Sequence, residues 1–280
     1  MGTSTSSRGP ASGISMDPPW LDDINSGTSI PIDSDSGSEQ ENEIPTEAPH
    51  TQELITVAPR ARFGTARKNL AEFARTGSQD SFKRAVGHYS KKGMGGASNV
   101  SKRMRASTSS VSGLVSFLRD VQNQSLSDIQ DWANNLMSKS PTANEVIDAI
   151  IDRVTTEGGV IDEESIKDSM ANAMSDLLEE NPDLDLLKLG DDESWDLIEN
   201  FLSYEASNRL QLDIGQLLER TLTPAEMVQR TDEMYEYLKA EISAQLQPYK
   251  SLDKHPSISK LNAVIHQALE STFIVFEGEI

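Results

Sequence analysis

The chain contains no cysteine. Disulfides, thiolate metal sites and cysteine nucleophiles are therefore excluded. No stretch approaches the roughly 18 apolar residues of a membrane span. The first residues hold no apolar segment of the secretory-signal kind. A soluble, cytoplasmic protein with no membrane contact is expected. Hydrophobic residues are also scarce, at 36% of the 280 residues, against about 45–50% in ordinary globular chains. Part of the chain is therefore not expected to fold alone, while the rest is long enough to bury a core. Positive charge is short as well: 25 Lys and Arg face 45 Asp and Glu, a net charge of −20. That balance favours solubility and argues against wholesale nucleic-acid binding.

Motifs of catalysis are missing too. His50, His88, His255 and His266 show no metal-ligand spacing, and neither H-E-x-x-H nor a P-loop is present. Asp33-Ser34-Asp35-Ser36-Gly37 resembles the start of a calcium loop. Its glycine comes one place early, and the twelfth position is Ile44, whose side chain cannot ligate. The many Asp/Glu pairs read as solvated helix faces. No metal, no cofactor and no enzymatic activity are expected.

What is present falls into three zones. Residues 1–58 are rich in Ser, Thr, Pro, Gly and acids. Ten acids and no Lys or Arg lie between Asp17 and Glu53. Such a segment buries too little apolar surface to offset the entropy of ordering, so a disordered tail is expected. One apolar patch interrupts it: Met16, Pro18, Pro19, Trp20, Leu21 and Ile24. It suits a short docking motif built on Trp20, or packing back on a folded domain. Residues 59–106 form a basic, short-helix region. Between 60 and 105, twelve Lys and Arg face Glu72 and Asp80. Residues 107–280 are acidic and helical.

From about residue 65 the apolar spacing is that of helices. The stripes are Ala66, Leu70, Phe73 and Ala74; Phe82, Ala85, Val86 and Tyr89, ended by Gly93; and Val111, Leu114, Val115 and Leu118. Then come Ile129, Trp132, Ala133 and Leu136; Val146, Ile147, Ile150, Ile151 and Val154; and Ile166, Met170, Ala173, Met174 and Leu177, stopped by Asn181-Pro182. Ser127-x-x-Gln130, Thr142-x-x-Glu145 and Thr223-Pro224-x-Glu226 have the form of capping boxes. A long helix is expected over 224–246, with Met227, Met234, Leu238, Ile242 and Leu246 inward, and a last one over 257–272. Trp132 and Trp195 are placed in the core. The fold class is all-α.

The basic block interleaves Phe63, Phe73, Phe82 and Tyr89 with its charges. Charge and stacking together would suit single-stranded nucleic acid, with Lys91, Lys92, Lys102 and Arg103 as candidate contacts. The same aromatics equally suit the inner face of short helices, with the charges meeting an acidic surface. Gly93, Gly95 and Gly96 after Lys91-Lys92 form a flexible turn, but no Lys-Ser/Thr follows to make a phosphate loop.

Several marks occur together: Arg62-Phe63-Gly64, Ala66-Arg67, Leu70, Phe73, Gly87-His88-Tyr89, Gly93-x-Gly95-Gly96, the opening MGTSTSSRGPASG and the PPW that follows. Together they resemble the QatB family, the small component of the bacterial Qat anti-phage cassette. The marks lie within about the first 105 residues. The resemblance implies three partners: a QueC-like enzyme, a P-loop ATPase and a TatD-like nuclease. It implies no catalytic role for this chain, and it places partner contacts at Arg62, Phe63, Arg67, His88 and Tyr89.

It also gives the opening residues a meaning. QueC-type enzymes activate a deazaguanine carboxylate for attack by ammonia, and in related defence systems a protein's N-terminal amine replaces the ammonia. Gly2 is small enough for Met1 to be removed. Its α-amine, with a pKa near 7.7–8.0, is partly free at neutral pH, whereas a lysine near 10.4 is almost wholly protonated. Thr3, Ser4, Thr5, Ser6 and Ser7 are small enough to enter a cleft as an extended strand. Met-Gly-x-x-x-Ser also fits an N-myristoylation pattern, but an acidic tail with no basic second signal suits a membrane poorly. The remaining reading of these residues is an ordinary frayed terminus.

Overall fold

The structure, a computed structural model, describes residues 61–155, 161–252 and 256–280. The acidic tail, Gly2 to Ser7, Trp20, His50 and His255 lie outside the described residues. Among the described residues every regular element is helical. Phe63–Ile280 forms one compact unit.

Helix α1 (Gly64–Thr76) and α2 (Gln79–His88) form a hairpin, and α2 runs on into a π-helical turn, Tyr89–Met94. Then follow α3 (Ala97–Arg103), α4 (Arg105–Asn123), α5 (Ser127–Ser138), α6 (Ala143–Val154) and α7 (Ile161–Glu180). A 3-10 turn at Leu186–Lys188 leads to α8 (Asp191–Ile214), α9 (Gln216–Thr221), α10 (Pro224–Leu252) and α11 (Ile258–Gly278). Helix α8 is the axis of the body, flanked by α7 and α10 and crossed by α4. Helix α11 lies against α2, α3, α4 and α10. The composition change near residue 106 falls at the start of α4, and a single apolar core runs across it from Ala66 to Phe276.

The apolar stripes of α1, α2, α4 and α7 are buried throughout. Met234, Leu238, Ile242 and Leu246 point inward from α10, while Met227 is half-buried. Trp195 is buried and Trp132 packs half-buried against the core, edge-on to Phe117.

Local signals fare unevenly. Thr142 accepts from the Glu145 amide while the Glu145 carboxylate accepts from the Thr142 amide at 2.7 Å, a complete capping box. Thr223 and Glu226 repeat it, with Pro224 first in the helix. Ser127 does not cap. Leu126 holds the cap position, and Gln130 instead donates to the carbonyl of Gln124 at 2.7 Å. Nor does Gly93 end its helix. It lies inside the π turn, where an added Cβ would stand 2.4 Å from the Phe63 ring, and the chain turns at Gly95, with φ of +80°. Helix α10 passes its expected stop and runs through Pro248. Lys250 bonds Glu199 at 2.8 Å and Asp196 at 3.3 Å on α8, which holds that last turn despite the amide that proline lacks. Helix α11 likewise continues to Gly278, because Phe273 and Phe276 are buried on its inner face.

Candidate interaction site

The residues singled out in the basic region divide into an inward group and an outward group. Phe63 stacks on Tyr89, centroids 5.5 Å apart and rings 16° from parallel. Arg67 also lies over the Phe63 ring, its guanidinium 5.8 Å from the ring centre. The Tyr89 hydroxyl donates to Asp213 Oδ2 at 2.8 Å, and Arg103 donates to Asp213 Oδ1 at 3.2 Å. Arg67 donates to the carbonyl of the same Asp213 at 3.0 Å. Three residues from three segments, Arg67, Tyr89 and Arg103, thus meet on the last turn of α8. Burial and the Asp213 carboxylate push the Tyr89 hydroxyl well above its usual range. Tyr89 is a fixed phenol here, not a titrating one.

Asp213 carries no sequence mark of its own. Nor do its neighbours one and two turns back, Arg209 and Glu205, which are buried on α8. Glu205 accepts from Ser107 of α4 at 2.8 Å, from Ser165 and Ser169 of α7 at 2.8 and 3.2 Å, and from Arg209 at 2.8 Å. Arg209 also pairs with Asp162. These acids depart from the expectation of solvated faces: a carboxylate without exposed surface survives because four donors satisfy it. The i, i+4, i+8 spacing of Glu205, Arg209 and Asp213 was the available signal.

The outward group is a ridge. Arg84, Lys91 and Lys92 are exposed and His88 is half-exposed, at positions i, i+4, i+7 and i+8. None of the three cations makes an ion pair among the described residues, whereas Lys83 beside them pairs with Glu279 at 3.4 Å. Lys102 is half-exposed on α3, close enough with Arg105 to act on His266. Arg62 is half-exposed in the turn before α1. The rings that would stack on bases are not at the surface: Phe73, Phe82 and Tyr89 are buried, and Phe63 is half-buried between Arg67 and Tyr89. No group of metal-ligating side chains occurs among the described residues. Among them, no helix is long and apolar enough to cross a membrane.

Both described histidines are pushed below their usual value. For His88 the cause is burial, then Lys92 and Lys91; for His266 it is burial, then Arg105. As pH falls through about 6.5, the unfolded chain binds these protons first, so stability falls from there down to the folded values. The double variant His88→Gln/His266→Gln is expected to flatten that slope. Urea midpoints at pH 7.5 and 5.5 measure it, and an unchanged slope would refute the assignment.

A family described as "Qat anti-phage system associated protein QatB" matches residues 95–276. The chain belongs to the QatB family. The match spans α3 to α10 and nearly all of α11. It therefore rests on the helical body, while most of the QatB-like marks read from the sequence lie before it. No curated protein and no solved structure matches the chain. Membership gives the chain a role in the Qat anti-phage system.

Proposed function

We propose that this QatB-family protein is a non-enzymatic adaptor. Its basic ridge on α2 and the π turn docks a QueC-like enzyme, and its Gly2 amine is offered to that enzyme for capture or for a deazaguanine-type amide bond. The observation that supports the docking half is the ridge itself. Arg84, Lys91 and Lys92 make no ion pair among the described residues of a chain of net charge −20, although acids are plentiful. Thr3 to Ser7 are the strand the enzyme reads, and the acidic segment behind them is the tether that lets the tip reach a distant site. The P-loop ATPase and the TatD-like nuclease would assemble on the same complex. In the alternative, the charges of Lys91, Lys92, Lys102 and Arg103 hold nucleic acid and recruit the nuclease. Buried aromatics and the engagement of Arg103 with Asp213 weigh against that alternative.

The test is a mass spectrum of the N-terminal peptide from protein made alone and made with the QueC-like partner. A defined added mass on Gly2 is expected in the second sample alone. It should be lost in Gly2→Pro, which removes the primary amine, and reduced in Lys91→Glu/Lys92→Glu. An unmodified Gly2 in both samples, together with no stable complex, would overturn the proposal. So would modification retained on Gly2→Pro. Retention on nucleic acid that weakens steeply with salt would favour the alternative.

A further inference from the structure

We propose that the cleft between α7, α8 and α10 is a second docking surface, one that receives an arginine side chain from a protein partner. The cleft holds about 410 Å³. One wall is a pair of stacked rings, Tyr204 and Tyr235, 4.3 Å apart and 27° from parallel. Both hydroxyls donate to Asp176, at 3.0 and 3.1 Å, which ties the two rings to one carboxylate. Burial and Asp176 keep both phenols protonated. The rim carries Glu179, Glu180, Asp232 and Glu236. None of these four makes an ion pair among the described residues.

A cation already uses this wall. Lys239 lies over the Tyr235 ring, 5.6 Å from its centre, and pairs with no carboxylate among the described residues. An aromatic face is a site for cations independently of the acids around it. Guanidinium fits better than ammonium here: it stacks flat on a tyrosine and bonds carboxylates in pairs. The cleft opens on a side of α10 other than the one packed against α1 and α2. Residues two apart on a helix lie about 200° apart. Tyr235 faces the cleft, whereas Tyr237 contacts Phe82 and Arg230 donates to the Ala74 carbonyl on the other side of α10. The surface is therefore separate from the ridge, and an adaptor gains a contact of opposite sign.

The probe is N-acetyl-Gly-Arg-Gly-amide, with its citrulline counterpart as the uncharged isostere, titrated into full-length protein carrying labelled tyrosine rings. Of the five tyrosines, Tyr204 and Tyr235 are expected to shift, and Tyr89, Tyr237 and Tyr249 to stay. Asp232→Asn/Glu236→Gln should weaken binding about fivefold or more. Asp148→Asn/Asp152→Asn on the exposed face of α6, an equal change in charge, should not. Lys239→Met should tighten binding, and the equally charged change Lys139→Met should not. Shifts spread over all five tyrosines, equal loss in both acid pairs, or equal binding of citrulline would overturn the proposal. Lys91→Glu/Lys92→Glu probes the ridge and should leave this titration unchanged, so the two surfaces fail or stand separately.

Discussion

Glu205→Leu is expected to destabilise the helical body by about 3–5 kcal/mol. The side chain has no exposed surface, and that of Arg209 is 4% exposed. Removing the carboxylate leaves Arg209 in the interior with the exposed Asp162 as its remaining partner. It also strips an acceptor from Ser107, Ser165 and Ser169, hydroxyls that hold α4 and α7 to α8. An unpaired buried donor costs more than the net worth of the bond it lost. The double variant Glu205→Leu/Arg209→Met should recover much of the loss, because two apolar groups replace a pair whose desolvation was costly. Glu205→Gln should fall between, since it keeps an acceptor oxygen and loses the charge. Urea midpoints at equal m-value separate the cases. A single variant as stable as the parent would show that the network is not closed to water.

The contrast between α7 and α8 explains what was legible in the sequence. On α7, Ile166, Met170, Ala173, Met174 and Leu177 stand at helical spacing, and all are buried. Helix α8 is buried on nearly every side. Its hidden residues include Glu199, Asn200, Ser203, Glu205, Ser207 and Arg209 beside Leu197, Phe201 and Leu210. An apolar count finds no stripe in such a helix, because the polar residues are inside too. Capping boxes were readable where both partners are local, as at Thr142 and Thr223. Sites were harder. Arg67, Tyr89 and Arg103 suit partner or nucleic-acid contacts in the sequence, with the inner face of a helix as the other reading of Tyr89, yet all three bond Asp213, more than a hundred residues along the chain. No local pattern encodes that partner. The tyrosine pair of the cleft was hidden for the same reason: Tyr204 and Tyr235 lie on different helices and meet through Asp176 of a third.

Gly87→Ala is expected to cost about 1–3 kcal/mol, against the sign that helix propensity assigns it. Within a helix the change should gain up to about 1 kcal/mol. But an added Cβ at Gly87 would stand 2.3 Å from the carbonyl oxygen of Phe276 and 3.0 Å from Ile280 Cγ2. The oxygen is backbone, and it already accepts the Glu279 amide at 3.2 Å in the last turn of α11. It cannot rotate aside. Helix α11 must therefore shift, and with it the Phe276 ring that meets Phe82 and the Glu277 carboxylate that accepts from Ser90 at 2.5 Å. Such forced movement in a packed contact outweighs the propensity gain. Gly113→Ala is the control, since its added Cβ would meet nothing within 4 Å on the exposed side of α4. That variant should be stabilised. Thermal or urea midpoints of the two variants should thus move in opposite directions. If both rise, α2 and α11 are not held this close, and the Gly87-His88-Tyr89 stretch needs another physical reason for its glycine. If they diverge, that glycine is explained by packing, and partner contact must be sought in the exposed charges that follow it.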